Sequence, residues 1–376
     1  MRLVLLSNHA WGTPNKAGFH LLAEAFWKLG HTVTFITTGL SFFSVMRRDR
    51  RLKTGRPLKR LHEEAPGLYT YLHFTPLHPH TLVFKPLDAL TSPLVRRYGM
   101  YSLGEAESHI RQADIIFYES CSAICLLERL KNLAPSAIHV YRASDLLLVM
   151  RSLHPEVRRM EKRIIPEFDM VSVPTPTMAK HFSGNSHVFI HEHGVDTELF
   201  NRPCESPFEP STRNAVFIGN SQLDCSFLDA VPPAFPDVQF HLIGSVSPNT
   251  KHANVHCHGL MDFCDTIKFL KFATVGLYCM RNPNPAVMDS YGRTLKMKQY
   301  MYCMLPVVLP VECNNMESDE FFQYDFHDVE SMVSAMAKAL NSPHKAEWQA
   351  SCRDWKQVAI SILEDALKCA RGKSSK

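Results

Sequence analysis

Short apolar runs alternate with amphipathic segments along the first half of the chain. Residues 3–7 form an apolar run typical of a buried strand, and Ala17 to Leu29 places its apolar side chains at helical spacing. Residues 32–37 return to the strand pattern. The alternation continues with a strand at 69–80, a partly helical segment at 82–101, strands at 115–120 and 137–145 around a helix at 123–133, a strand and helix within 170–182, and a strand and turn within 188–200. Strands that alternate with amphipathic helices predict a parallel sheet covered on both faces.

The second half of the chain begins the same alternation again. Residues 215–220 predict a strand that enters a glycine turn, and the polar, proline-bearing segment 202–214 before it is typical of a linker. The later elements are predicted strands at 238–245, 253–259 and 275–279, helices at 263–272 and 331–340, a helix that leads into a buried strand within 291–310, and one helix throughout 346–370.

This organisation predicts an α/β protein with two Rossmann-like domains that face a central cleft. The first domain is predicted at 1–203 and the second at 204–345. Residues 346–376 are expected to form a C-terminal helix that packs back on the first domain. Ligands of open α/β sheets bind at the carboxyl ends of the strands, which is where we look for the site.

Polar side chains follow the predicted strands of the first domain at this edge. Glu119 and Asp145 end two of these strands, Arg142 precedes the second carboxylate, and His9 lies in the connection after the first strand. We therefore predict that they contribute to one acceptor site. An aspartate at a strand end is also often a helix N-cap, and Asp145 could cap a helix that begins at Leu146, so both readings stay open.

The stretch 291–310 begins basic and ends apolar, with Arg293, Lys296 and Lys298 at the predicted helix start. A helix N-terminus attracts anions through its free N–H groups and its dipole, and a lysine there strengthens the attraction. We predict that this helix binds the diphosphate of a nucleotide sugar. Glycosyl transfer also needs a base for the acceptor hydroxyl, so Asp145 and Lys296 are expected to face each other across the cleft.

Composition restricts the remaining classes of function. The chain has 45% hydrophobic and 21% charged residues, as globular proteins do, and no apolar run reaches the roughly 18 residues of a membrane span. Its first residues lack the features of a signal peptide, and its eleven cysteines form no CxxC pair, which favours a reducing cytoplasm. The missing GxGxxG motif argues against a dinucleotide site, and the missing HExxH spacing argues against a metal site. The missing GxSxG and Walker A motifs argue against a hydrolase triad and a P-loop kinase. Nucleic-acid signatures are missing as well.

The net charge of +4 is unevenly distributed, because residues 46–60 carry eight Lys or Arg against one Asp. This segment is either an ordinary solvated loop or a patch for anionic lipid or a phosphate-bearing acceptor. The apolar segment 82–101 next to it is predicted as core, with contact to a membrane surface as the alternative.

Seven strings occur in an order that resembles a known family. They are SNHAWGTPNKAGFH, IIFYES, VYRASD, HGVD, AVFIGN, FHLIGS and LKMKQYMYCMLPVV. In this order they resemble segments of the xanthan-assembly β-glucuronosyltransferase family, a group of GT-B glycosyltransferases, over about residues 3–340. VYRASD is the most specific string, whereas HGVD is shared by many GT-B enzymes.

The resemblance implies an inverting, metal-independent enzyme that needs no cofactor and uses UDP-glucuronate as its donor. The implied acceptor is a lipid-linked oligosaccharide in surface polysaccharide synthesis, and the implied location is the inner face of the cell membrane, as a peripheral monomer on an anionic surface. Asp145 is the implied base. The residues implied for donor binding are Lys296, Gln299, Tyr278, Leu295, Arg293 and Asp196.

This sequence also departs from the family pattern. Ala10 and Gly12 stand where the family has an acidic residue and an arginine, and Leu295 stands where it has a methionine. These differences leave the donor sugar and the acceptor open. The alternatives are a GT-B transferase for another UDP-sugar, a GT-B-shaped nucleotide-sugar epimerase, and a non-catalytic GT-B binding module.

Overall fold

A computed structural model shows two compact units, one of residues 1–192 with 355–376 and one of residues 193–354. The structure describes residues 1–82, 84–150, 152–185, 187–220, 222–246, 248–250, 252–282, 288, 294–313, 321–344 and 346–374.

An eight-stranded sheet forms the centre of the first unit. Its strands are β1 (Arg2–Ser7), β2 (Thr32–Ser41), β3 (Leu61–Ala65), β4 (Leu68–Thr75), β5 (Ile115–Glu119), β6 (Ile138–Arg142), β7 (Met170–Val173) and β8 (Val188–Ile190). They lie in the order β3-β4-β2-β1-β5-β6-β7-β8, with β3 antiparallel to β4 and the other neighbours parallel. The carboxyl ends of β1, β5 and β6 therefore lie side by side.

The second unit contains a six-stranded parallel sheet. Its strands are β9 (Arg213–Ile218), β10 (Val238–Ile243), β11 (Val255–Gly259), β12 (Val275–Leu277), β13 (Val307–Pro310) and β14 (Phe321–Tyr324). They lie in the order β11-β10-β9-β12-β13-β14, so β9 and β12 are at the centre.

Helices cover the sheets of both units. In the described part of the chain they are α1 (Gly18–Lys28), α2 (Phe42–Met46), α3 (Lys85–Arg96), α4 (Ala106–Ile110), α5 (Leu127–Leu133), α6 (Pro155–Ile164), α7 (Pro176–His181), α8 (Thr197–Phe200), α9 (Cys225–Ala234), α10 (Phe263–Phe272), α11 (Leu295–Tyr302), α12 (Val329–Leu340), α13 (Ala346–Ser351) and α14 (Trp355–Ser374). Short 3₁₀ turns lie at Arg50–Lys53, Arg97–Met100, Ser122–Leu126, Leu147–Val149 and Ile165–Glu167. The described helices include none with the length and apolar character that crossing a membrane requires.

Burial on both faces explains the continuous apolar runs of the central strands. Val4 and Leu6 of β1 enter one core cluster, whereas Leu3 and Leu5, which point to the opposite face, are also almost fully buried. On β5 the ring of Phe117 stacks on α1, as predicted for a sheet covered by helices.

The prediction of one helix throughout 346–370 is wrong, because residues 352–354 separate α13 from α14. In this gap the carbonyl of Arg353 accepts a hydrogen bond from the amide of Val195 at 2.9 Å, and the Asp354 carboxylate accepts one from the Thr197 hydroxyl at 2.6 Å. Helical backbone would have removed the Val195 pairing. As predicted, α14 returns to the first unit, where Asp365 lies 3.2 Å from Nε2 of His191.

The units divide earlier than the predicted boundary at residue 203. Phe200 is buried in the core of the second unit, and Asn201 accepts a hydrogen bond there from Tyr302 at 2.9 Å. At the other end, Trp348 of α13 packs on Phe321 of β14, so residues 346–354 also belong to the second unit.

Candidate active site

Glu119 is a buried carboxylate at the carboxyl edge of the first sheet. It accepts a hydrogen bond from the Ser7 hydroxyl at the end of β1, and its other oxygen lies 3.8 Å from Nε2 of His9. Burial raises the pKa of Glu119, with a smaller contribution from the charge of Asp145, whereas His9 and Ser7 oppose the rise. The structure thus brings together His9, Glu119 and Asp145, as expected from their positions at strand ends.

Asp145 presents an exposed carboxylate just beyond β6. Its backbone amide donates to the Ser120 hydroxyl at 3.0 Å, while its carboxylate accepts no hydrogen bond from the described residues. The 3₁₀ turn that follows begins after Leu146 and has no side-chain cap, so the alternative that Asp145 caps a helix is wrong. Protein atoms that displace water raise the pKa of Asp145, and the positive charge of His9 acts in the opposite direction.

Arg142, the last residue of β6, is buried and does not reach the surface at this edge of the sheet. Only 1% of the residue is exposed, and one guanidinium nitrogen donates to the Ser172 hydroxyl at 2.9 Å and to the carbonyl of His191 at 2.7 Å. Burial lowers the pKa of Arg142 to about 9, and the charge of Glu119 limits the decrease. Arg142 therefore interacts with the charge of Glu119 from a buried position. It is not accessible to an acceptor, so the prediction that it contacts the acceptor is wrong.

Lys296 occupies the first turn of α11 in the second unit. Its ammonium nitrogen lies 4.5 Å from the centre of the Phe217 ring, 5.2 Å from the Tyr278 ring and 3.5 Å from the sulfur of Met280. No carboxylate pairs with it in the described part of the chain. Burial lowers the pKa of Lys296 to about 8, with a small opposing effect of Cys279. The site is thus a desolvated cation without an anionic partner of its own.

The N-terminus of α11 adds to this positive potential. Its N-cap residue, Thr294, makes no side-chain cap, because its hydroxyl hydrogen-bonds the Tyr278 hydroxyl at 2.9 Å. The first turn contains no acidic residue, although a carboxylate is the group that usually stabilises such an end. Free N–H groups and a half-buried, desolvated lysine at one helix end form a site that an anion would stabilise.

The other residues predicted for donor binding have different surroundings. Gln299 is 6% exposed, and its side-chain amide makes no hydrogen bond with the described residues. Leu295 is half-buried at the helix start. Asp196 caps α8 by accepting a hydrogen bond from the amide of Leu199 at 3.0 Å. Arg293 lies outside the described residues. The roles of these residues in binding a donor stay predictions.

Apart from Tyr278, sequence reasoning did not include the residues that surround the Lys296 ammonium. A Cβ atom at Gly219 would stand 2.8 Å from the Phe217 ring and 2.9 Å from the Lys296 ammonium, and one at Gly244 would stand 1.9 Å from the Gly219 carbonyl oxygen. Gly244 therefore requires glycine, because it approaches backbone with φ +128°, whereas a side chain at Gly219 would displace the Phe217 ring or the Lys296 ammonium. The signal was present as a glycine at the end of two buried runs, AVFIG and FHLIG.

No group of three or more His, Cys, Asp or Glu side chains in the described ranges is placed to hold a metal ion.

Comparison with known proteins identifies relatives over nearly the whole chain. Residues 5–174 match the family model of glucuronosyltransferase GumK, N-terminal domain. A UDP-glucuronate:glycolipid 2-beta-glucuronosyltransferase of Xanthomonas campestris pv. campestris is 28% identical over 365 residues, which are 96% of this chain and 89% of the relative.

Solved structures are similar in fold at much lower identity. An apo structure of OtsA has a TM-score of 0.60 and 11% identity, and covers 97% of this chain and 99% of its own. An alpha,alpha-trehalose 6-phosphate synthase of Burkholderia multivorans has a TM-score of 0.60 at 11% identity over 100% and 98% of the two chains. AviGT4, a glycosyltransferase involved in avilamycin A biosynthesis, has a TM-score of 0.53 at 12% identity over 99% of each chain. The comparisons confirm the predicted resemblance and the GT-B fold.

Proposed function

We propose that this chain, which has the GT-B fold and resembles GumK, is an inverting glycosyltransferase of surface polysaccharide synthesis. The favoured reaction transfers glucuronate from UDP-glucuronate to a lipid-linked saccharide, in line with the activity of the 28% identical relative, a UDP-glucuronate:glycolipid 2-beta-glucuronosyltransferase. The observation that carries the proposal is the exposed Asp145 carboxylate, which has no hydrogen-bond partner in the described residues.

Asp145 is proposed as the base that activates the acceptor. In this reaction the acceptor hydroxyl gives its proton to the carboxylate as its oxygen forms the bond to the anomeric carbon. The bond from that carbon to the diphosphate oxygen breaks on the opposite face, so the configuration inverts, as it does wherever a base activates the attacking group directly. Glu119 and His9 set the electrostatic environment of Asp145.

Lys296 and the start of α11 are proposed to stabilise the leaving diphosphate without a metal ion. A positioned cation and free backbone N–H groups in a water-poor site stabilise developing negative charge strongly. The lysine needs no reorientation for this task, since Phe217, Tyr278 and the Gly219 turn already fix its amino group.

The lowered pKa of Lys296 predicts a pH dependence of UDP binding. The free amine has a pKa of about 8, and a bound diphosphate raises it by favouring the charged form. UDP affinity should therefore be highest below pH 8 and fall as the pH rises above it. At pH 8, binding should take up about half a proton, which calorimetry in two buffers of different ionisation enthalpy measures. Equal heats in both buffers would contradict this role of Lys296, and a Lys296→Met variant serves as the control without uptake.

A screen of nucleotide sugars tests the reaction itself. UDP-glucuronate should raise the melting temperature more than UDP-glucose or UDP-N-acetylglucosamine, because a ligand of the native state stabilises it according to its occupancy. NMR of the product from a lipid-linked acceptor should show the inverted anomeric configuration. Epimerised UDP-sugar in place of a transfer product would support the epimerase alternative, and binding without turnover the binding module.

We propose a location at the anionic inner face of the cell membrane, where the basic segment 46–60 makes contact. Arg48 and Arg50 are exposed and form no ion pair with the described residues. Arg51 differs, because its guanidinium binds the Asp49 carboxylate at 2.7 Å and the carbonyls of Asn8 and Gly39 at 2.7 and 3.0 Å. Arg51 therefore fixes the loop to the sheet, and its positive charge is not free for lipid.

Replacing Arg48 and Arg50 with serine should release the protein from anionic vesicles. Each basic residue near such a surface contributes about 1 kcal/mol, so the loss should exceed about tenfold in partition coefficient. Cosedimentation with vesicles that contain phosphatidylserine measures it. Lys180 and Lys338 are exposed on other parts of the surface. Replacing both with serine removes the same amount of charge and should have a much smaller effect. If both double variants bind equally, the segment is an ordinary solvated loop.

A further inference from the structure

A cavity of about 120 Å³ lies in the first unit, away from the carboxylate cluster. Its walls are largely apolar and include Phe43 of α2, Leu77 and Leu82 of the loop after β4, and Leu94 of α3. The three leucines are 42–51% exposed, so the cavity opens on an apolar surface. An apolar cavity of about 150 Å³ takes up benzene, so this one has room for about five carbon atoms.

The polar groups of the wall are paired with each other or with neighbouring residues. The Ser41 hydroxyl bonds Nδ1 of His78 at 2.7 Å, and the Thr91 hydroxyl bonds Nε2 of His154 at 3.1 Å. Burial lowers the pKa of His78 to about 4 and lowers that of His154 as well, so both rings are neutral at pH 7. The cavity therefore offers an uncharged surface with its hydrogen bonds already made, which favours hydrocarbon over a polar ligand.

A free cation stands beside this apolar surface. Arg47 is exposed, its guanidinium lies 4.3 Å from the centre of the Phe43 ring, and it hydrogen-bonds Nε2 of His80 at 2.8 Å. Phe43 and His80 both belong to the cavity wall. No carboxylate pairs with Arg47 in the described residues. The combination matches an amphiphile that has a hydrocarbon chain joined directly to a phosphate.

The position along the sheet connects this cavity with the base. Ser41 ends β2, and Asp145 follows β6 at the same carboxyl edge, with β1 and β5 between them. Three strand spacings of about 4.8 Å give a separation of about 14 Å across the sheet, to which the extension of β2 beyond β1 adds. A saccharide of a few units joined to a phosphate spans such a distance, with the lipid at one end and the reacting hydroxyl at the other.

We propose that this cavity binds the hydrocarbon segment next to the phosphate of the lipid-linked acceptor, with the phosphate on Arg47. The proposal rests on the proposed function and adds a lipid subsite to it. The volume accommodates about five carbon atoms of that segment. The subsite would hold the acceptor in register by its lipid end, while the sugar end reaches Asp145.

Isothermal calorimetry with farnesyl diphosphate, below its micelle concentration, tests the subsite without any turnover. Leu94→Trp fills the cavity and should weaken binding by about tenfold or more, because each buried methylene contributes several-fold to affinity. Leu90→Trp is the matched control, since Leu90 is on the same helix and 75% exposed but does not line the cavity. Arg47→Gln should weaken farnesyl diphosphate binding and leave farnesol binding unchanged.

The outcomes separate the possible failures. Equal loss in Leu94→Trp and Leu90→Trp, or none in either, overturns the subsite. Leu82→Trp fills the cavity from the loop after β4 and replaces Leu94→Trp if that variant does not fold. Unequal binding of the two α3 variants to phosphatidylglycerol vesicles would assign the effect to bulk lipid and also overturn it. UDP calorimetry on the same samples reports on the donor site, so a failure of the proposed transferase function is seen separately.

Discussion

Replacing Asp145 with asparagine is expected to lower kcat by about 10²–10⁴-fold, the usual contribution of a positioned general base. UDP affinity should stay near that of the wild type, because this residue belongs to the first unit and the proposed diphosphate site to the second. Asparagine keeps the shape of the side chain, and the backbone hydrogen bond to Ser120 does not depend on the carboxylate. Single-turnover kinetics with a lipid-linked acceptor, together with UDP calorimetry, measures both quantities.

The pH profile sharpens this prediction. Transfer requires the ionised carboxylate, and the pKa of Asp145 is raised, so activity should decline with acid at a higher pH than for an exposed aspartate. His9→Gln removes the positive charge that lowers this pKa and should move the decline to still higher pH. A variant of Asp145 that keeps most of its turnover, or a His9 variant with an unshifted acid limb, would show that the base is another group.

Much of the candidate site follows from sequence pattern. Buried strands of a parallel sheet are continuous apolar runs, and the polar residues that end them, such as Glu119 and Asp145, meet at one edge whatever the details of packing. The start of α11 was equally visible, since Lys296 and Lys298 precede an apolar strand. Hydrophobic periodicity and strand ends are local properties of the sequence. Both could therefore be predicted without knowledge of the fold.

The remaining features depend on contacts between distant segments. The Lys296 ammonium is surrounded by Phe217 and Gly219 at the end of β9 and by Tyr278, which lies about 60 residues further along the chain. Arg51 is not available to lipid because its guanidinium donates to the carbonyls of Asn8 and Gly39, which are distant in sequence. The break between α13 and α14 depends on the hydrogen bond from the Val195 amide to the Arg353 carbonyl. This bond competes with helical hydrogen bonding, and helix propensity cannot predict it because Val195 is distant in sequence.

Replacing Lys296 with methionine is expected to weaken UDP binding by about 100-fold, within the 2–5 kcal/mol that loss of a buried charge partner costs. Methionine preserves the apolar stem against Phe217 and Tyr278, so the fold should be retained and the loss assigned to the charge. Calorimetry with UDP measures the change directly. The loss should be larger for UDP than for uridine, because the lysine acts on the diphosphate and not on the nucleoside.

Lys268→Met provides the matched control for this experiment. Lys268 also lies in the second unit, with its ammonium 6.0 Å from the centre of the Phe269 ring, but it lies in the middle of α10 and not in the first turn of a helix. Its replacement should leave UDP affinity unchanged. Gly219→Ala should have an intermediate effect, because the added methyl group displaces the Lys296 ammonium without removing it. Unchanged UDP affinity in the Lys296 variant would remove the diphosphate site from α11, whatever the fate of Asp145.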